Sequence, residues 1–172
     1  LDAGRIEDPM LLRNSLEIQW VAEREWWLRR EFAVPGEWRG KRIRLLFDGV
    51  DYRATFWLNG RRLGQHERMW GGPDYDVTNI VQVGSGTTVL IVQLDPAPPN
   101  FPDTFKNNVA YGWHYVKLIT LGIRRSVRLQ ARGALELREP FLTTESIAEG
   151  GVRTKLSADV WNSSDETVQG EL

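Results

Sequence analysis

Apolar residues recur at every second position in short runs, and Gly, Pro, Asn and Asp separate the runs. From Trp26 to Val34, one face carries Trp26, Leu28, Phe32 and Val34, and the other carries Trp27, Arg29 and Glu31. Arg30 interrupts the apolar face, which predicts solvent or a polar pocket there, and Pro35-Gly36 ends the run. Arg42 to Phe47 alternates cleanly and predicts Ile43, Leu45 and Phe47 inward. Ala54 to Asn59 reads as a third strand, closed by the two-residue hairpin signal Asn59-Gly60. Val89 to Leu94 is nearly continuous apolar, the pattern of a central strand covered on both sides. Val127, Leu129 and Ala131 alternate with Arg128 and Gln130 in a late strand. No stretch after the first 20 residues keeps a helical apolar period for three turns. The fold class is therefore all-β, a sandwich or barrel of Greek-key or jelly-roll connectivity.

Two stretches depart from this texture. From Asp95 to about Gly122 the chain is rich in Pro and aromatics, with Phe101, Phe105, Tyr111, Trp113, His114 and Tyr115 but few strand cues. A loop of that length is either functional or an Ω-type loop packed on its own aromatics. After Leu129, Gly133 to Pro140 reads as a linker running into a new strand and Gly150-Gly151 as a turn. Val152, Thr154, Leu156, Ala158 and Val160 share one face of a further strand, Trp161 to Asp165 is a loop, and a short strand is expected near Val168. Some 40 residues cannot close a sandwich of ~100 residues. The expected organisation is a sandwich over 1–132 and the first strands of an incomplete immunoglobulin-like sandwich over 133–172.

Composition narrows the function. Lys+Arg 22 against Asp+Glu 23 leaves no basic stripe for a nucleic acid, and no apolar run reaches a membrane span. There is no cysteine, hence no disulfide or thiolate metal site, which fits a reducing compartment without excluding export. The chain opens on Leu1 rather than Met, so it is expected to be part of something longer and the lack of a leader says little. Eight tryptophans are many for 172 residues. Core packing is the ordinary role for most, but a flat π-surface also matches the apolar face of a pyranose.

Catalytic signals are weak. Hydrolysis by a nucleophile and an acid/base needs two carboxyl groups about 5–5.5 Å apart with separated pKa values, and no motif here argues for such a pair. Asp48 and Asp51, flanking Gly49-Val50, read as turn or surface carboxylates, as do Asp74 and Asp76. His66 reads as a strand-end histidine bonded to backbone, His114 is far from it in sequence, and no metal or cofactor is expected.

Several strings resemble the β-mannosidase-like branch of glycoside hydrolase family 2. They are Ala3-Gly4-Arg5-Ile6-Glu7-Asp8-Pro9, Trp26-Trp27-Leu28-Arg29-Arg30-Glu31-Phe32, and Leu46-Phe47-Asp48-Gly49-Val50-Asp51-Tyr52-Arg53-Ala54-Thr55-Phe56-Trp57-Leu58-Asn59-Gly60, with Tyr111-Gly112-Trp113-His114 and Leu121-Gly122-Ile123-Arg124-Arg125-Ser126-Val127 later on. The resemblance covers nearly the whole chain. It implies a jelly-roll-like, galactose-binding-like sandwich, then an immunoglobulin-like sandwich, then a barrel carrying two catalytic glutamates, on which the first domain packs.

The family's Trp-Asp pair, on a loop that reaches the barrel's sugar pocket, matches Trp113 and His114, the two substrate-binding residues the resemblance implies. His stands where the family has Asp, and a neutral imidazole offers one donor and one acceptor where a carboxylate accepts twice. Arg124 stands where Trp is usual and is expected either at the surface or paired with an acid of the barrel. Three readings stay open: an inactive accessory domain of an exo-β-glycosidase acting on a terminal β-linked sugar, a self-sufficient carbohydrate-binding module, and a structural spacer.

Overall fold

The computed structural model describes residues 6–8, 11–97, 120–162, 164 and 166–169. Among the described residues helix is confined to the single turn Asn14–Glu17 and two 3₁₀ turns, Gln19–Val21 and Gly36–Trp38. Eleven strands make up the rest of the regular structure among the described residues. Strands β1 (Trp26–Phe32), β4 (Arg53–Leu58), β5 (Arg61–Glu67) and β7 (Thr88–Leu94) form an antiparallel sheet in the order β1-β7-β4-β5. Opposite it, β2 (Arg42–Phe47) pairs with β6 (Asp74–Asp76) on one side and β9 (Val127–Arg132) on the other. The short strands β3 (Val50–Asp51) and β8 (Gly122–Ile123) pair at one end.

The core lies between the two larger sheets. Ile43, Leu45 and Phe47 of β2 meet Ala54, Phe56 and Leu58 of β4 and Leu90, Val92 and Leu94 of β7 in one buried cluster. The alternation seen in the sequence from Arg42 to Phe47 is thus the inward face of β2. Phe47 and Phe56 meet with ring centroids 4.6 Å apart. Arg30 takes the position the alternation gives it: it is exposed and lines, with Leu28, Phe32, Leu45, Leu90, Val92 and Leu129, a cavity of about 400 Å³ between the sheets.

Four expectations need correction. Strand β7 is central, yet Val89, Ile91 and Gln93 are half-exposed and only the even positions are buried, so the sheet is covered on one face. The apolar run misled because Val and Ile also suit the outer face of a strand that has neighbours on both sides. The new strand expected after Gly133 to Pro140 is present but begins earlier, so most of that stretch is not a linker: only Gly133 and Ala134 separate β9 from β10 (Leu135–Ala148), which absorbs Glu139-Pro140 in a bulge opposite β11 (Gly151–Asn162). Strand β11 runs through Trp161 and Asn162, which were expected in a loop, and residues 166–169 carry no strand.

The fourth correction concerns tryptophan. None of Trp20, Trp26, Trp27, Trp38, Trp57, Trp70 and Trp161 is fully buried. Trp26 and Trp38 pack half-buried at the core's margin, and Trp27, Trp70 and Trp161 are exposed. The space between the sheets is filled by Val, Ile, Leu and Phe, so the indoles are displaced to rims and outer faces.

The hairpin β10–β11 is amphipathic. Cross-strand partners share a face, and one face collects Leu137 with Val160, Leu142 with Leu156 and Ile147 with Val152. All six are more than half exposed.

Candidate functional site

The aromatic segment singled out in the sequence is anchored at both ends on the stretch from Val50 to Arg53. At its start, the Asp95 N–H donates to the Arg53 carbonyl at 3.0 Å, and the Ala97 N–H donates to the Ala22 carbonyl at 2.8 Å. At its end, the Thr120 hydroxyl donates to Asp51 Oδ2 at 2.7 Å, and Gly122 and Ile123 pair with Asp51 and Val50. Trp113 and His114, with Phe101, Phe105, Tyr111 and Tyr115, lie outside the described residues. The described frame is therefore the base from which that segment leaves and to which it returns.

Asp51 was expected at a turn or the surface and is instead fully buried. Val50, Asp51 and Tyr52 are all buried, so the carboxylate has no access to water and must find donors inside the fold. Local sequence carries no signal for this burial, since alternation puts an acid between two apolar residues on the outer face, and none for the partner Thr120, 69 positions away.

His66 matches its expected role. It is half-buried on β5, and its Nε2 faces the carbonyls of Val50 at 3.2 Å and Arg68 at 3.1 Å. Two acceptors require Nε2 to carry the proton and donate to both, tying β5 to β3. Arg124 is half-buried against the same region. Its backbone N–H donates to the Gly49 carbonyl at 2.9 Å, its Nη2 donates to the Met69 carbonyl at 2.8 Å, and its guanidinium lies 4.6 Å over the exposed ring of Trp70. The neighbouring indole thus covers the flat face of the guanidinium.

The remaining acids flagged in the sequence are held by arginine. Asp48 accepts from Arg128 at 2.6 Å, Asp74 from Arg44 at 2.9 Å and Asp76 from Arg42 at 2.8 Å. Asp74 and Asp76 lie in β6 rather than in a turn. Glu67 is held low by the hydrogen bond from Arg53. Burial raises the Asp76 carboxyl, but the Thr78 hydroxyl and N–H and the Arg42 guanidinium outweigh it, and the net direction is down. Glu136 is lowered chiefly by the hydrogen bond from Arg138, with the charges of Arg132, Arg138 and Arg44 adding to it. A glycosidase acid needs the opposite displacement, so these three carboxyls are built for ion pairing. Among the described residues no group of three His, Asp or Glu could hold a metal ion.

Comparison with known proteins agrees with this architecture. The glycosyl hydrolase 2 galactose-binding domain-like family model matches residues 1–134. The chain is 34% identical over 94 residues to β-mannosidase B of Thermothelomyces thermophilus, covering 55% of this chain and 11% of that protein. It is also 34% identical over 82 residues to β-mannosidase of Mus musculus, covering 46% of this chain and 9% of that protein. The solved β-D-mannosidase of Dictyoglomus thermophilum superposes with a TM-score of 0.78 at 26% identity, over 92% of this chain and 22% of that one. A β-glucuronidase of Ruminococcus gnavus shares the fold, with a TM-score of 0.61 at 19% identity over 79% of this chain and 24% of its own. The chain thus spans about a tenth of the length of these curated relatives. With its two-sheet sandwich and its shared strings, the chain belongs to the glycosyl hydrolase 2 galactose-binding domain-like family, on the β-mannosidase-like branch.

Proposed function

We propose that this chain is the non-catalytic, N-terminal sugar-facing part of a retaining exo-β-glycosidase of β-mannosidase type. In this reading its segment 98–119 supplies Trp113 as an apolar wall and His114 as a polar contact to the terminal β-linked sugar. The two hydrolytic glutamates lie on a barrel elsewhere in the protein, and residues 1–172 alone are inactive. The observation that carries the reading is the anchoring of both ends of that segment on Val50–Arg53, through Asp95 and Thr120. A segment tied at both ends to the frame around a buried carboxylate can serve a neighbouring domain without loosening the sandwich.

The same reading assigns 133–172 to the opening strands of a second, immunoglobulin-like sandwich. Its support is the hairpin β10–β11, whose apolar face bears Leu137, Leu142, Ile147, Val152, Leu156 and Val160 in the open. Such a face calls for an opposing sheet.

The test is hydrolysis of aryl β-mannoside, β-galactoside and β-glucuronide by the full-length protein and by its His114→Ala variant. The expected result is turnover strongest on the mannoside and a loss of kcat/KM of at least about tenfold in the variant, roughly 1.4 kcal/mol of transition-state binding. Unchanged kcat/KM would remove His114 from the pocket, and activity of residues 1–172 alone would overturn the absence of a catalytic pair.

A further inference from the structure

The two larger sheets present opposite surfaces to solvent. The outer face of β6-β2-β9 is a lattice of ion pairs, Arg42 with Asp76, Arg44 with Asp74 and Arg128 with Asp48. The outer face of β1-β7-β4-β5 has a neutral centre. One cross-strand row there runs Trp27, Gln93, Thr55, Gln65 over all four strands. With neighbouring strands about 4.8 Å apart, the row spans roughly 14 Å, the length of a short oligosaccharide.

Trp27 is exposed to 57% but is not loose. Its ring stacks on Trp57, centroids 5.4 Å apart and planes 25° from parallel. Its indole N–H donates to Glu25 Oε1, and Glu25 Oε2 accepts from Gln93 Nε2 at 2.7 Å. Trp57 is aimed by a bulge in the facing strand, where the register shifts between Phe56 and Trp57. One face of the Trp27 indole is thus covered by Trp57 while much of the residue stays open to water, with the Gln93 amide next to it and the Gln65 amide at the far end of the row, where its Nε2 donates to the buried Thr55 hydroxyl at 3.3 Å. Trp161, also exposed, differs in having the guanidinium of Arg138 4.4 Å over its ring.

We propose that this face is a second carbohydrate contact, on which a neutral β-linked glycan stacks a pyranose ring against Trp27 and exchanges hydrogen bonds with Gln93 and Gln65. The chemistry is specific to a polyol. The axial C–H groups of a sugar meet the negative face of the indole, and its hydroxyls meet neutral amides. Arg29 pairs with Glu31 and Arg53 with Glu67 at the flanks, and the Glu25 carboxylate beside the ring accepts from the neutral donors of Trp27 and Gln93, so a polyanionic ligand would be repelled while a polyol is not. The Glu25 bond and the Trp57 stack hold the ring in place before binding, so little ordering remains to oppose it. The inference rests on the sheet face alone and does not depend on the role proposed for His114.

The experiment is affinity electrophoresis of the full-length protein in native gels cast with galactomannan, glucomannan, xylan or hydroxyethylcellulose, a readout that needs no turnover. Expected is retardation by at least one of these glycans, with association weakened at least about fivefold in Trp27→Ala, partly in Trp27→Phe, and not in the control Trp161→Ala. Trp27→Phe keeps an aromatic against Trp57 and so keeps the test decisive if the alanine variant folds poorly. No retardation by any glycan, or retardation kept in both Trp27 variants, overturns the proposal. So does a Trp27-dependent dimer in glycan-free size-exclusion runs, which would make the face a protein contact.

Discussion

Asn59 and Val89 bond each other twice, once through backbone and once through a side chain. The Asn59 N–H donates to the Val89 carbonyl at 2.9 Å, and the Val89 N–H donates to Asn59 Oδ1 at 2.8 Å. The β4–β7 ladder ends at Leu58 opposite Leu90, so the asparagine side chain continues it by one rung after the backbone has turned away. The turn itself has φ of 48° at Asn59 and 79° at Gly60, both left-handed. Asn59 Nδ2 also donates to the Ile80 carbonyl at 2.8 Å, which ties the hairpin to the loop after β6.

Asn59 therefore serves conformation and hydrogen bonding at once, and two substitutions separate the roles. Asn59→Gly keeps the left-handed turn and loses the two side-chain bonds, an expected cost of about 1–3 kcal/mol. Asn59→Ala loses the bonds and adds the strain of a left-handed residue, costing roughly 1 kcal/mol more. Urea unfolding of the two variants beside the parent measures both; equal stability of all three would show the bonds to be dispensable.

Gly72 sits where no side chain fits. A Cβ there would lie 2.2 Å from the Phe47 carbonyl oxygen, which is backbone and cannot swing aside. Gly72→Ala must push the strand entry at Pro73, whose carbonyl accepts the Phe47 N–H at 3.0 Å, away from β2. The expected loss is at least about 2 kcal/mol, seen as a lowered denaturation midpoint. Gly40→Ala is the comparison: its Cβ meets nothing within 4 Å although its φ is 78°, so only backbone strain of about 1 kcal/mol is expected.

Glu136 sets an acid limit on the joint between β9 and the hairpin. It accepts from Arg132 and, at 3.0 Å, from Arg138. Its pKa is lowered in the folded state, mainly by the Arg138 hydrogen bond. A lowered acid contributes stability that is full above the unfolded value, roughly pH 4.3, and is lost as pH falls through the lower folded value. Asp76, also lowered, adds a loss of the same sign. Melting temperature should therefore fall between pH 5 and 3, and Glu136→Gln should flatten part of that fall while lowering the melting temperature at pH 7. A profile identical to the parent's would show that Glu136 does not couple to folding.

Much of the sandwich was legible because strand alternation is a local property. Ile43, Leu45 and Phe47 point inward because successive side chains of any strand alternate, and the Asn59-Gly60 turn follows from two residues that accept positive φ. His66 was legible for the same reason, as a polar residue at a strand end with backbone near it.

What the sequence by itself determined was the class of fold, the inward faces of β1 and β2 and the family, since all three are written in near neighbours and in contiguous strings. Tertiary structure alone decided that Asp51 is buried under Thr120, that Arg124 lies over Trp70, and that Trp27 stacks on Trp57 across an open sheet face. Those pairs are 69, 54 and 30 residues apart. Their meeting depends on strand order and register, which are set by how whole sheets pack rather than by any residue's own preference.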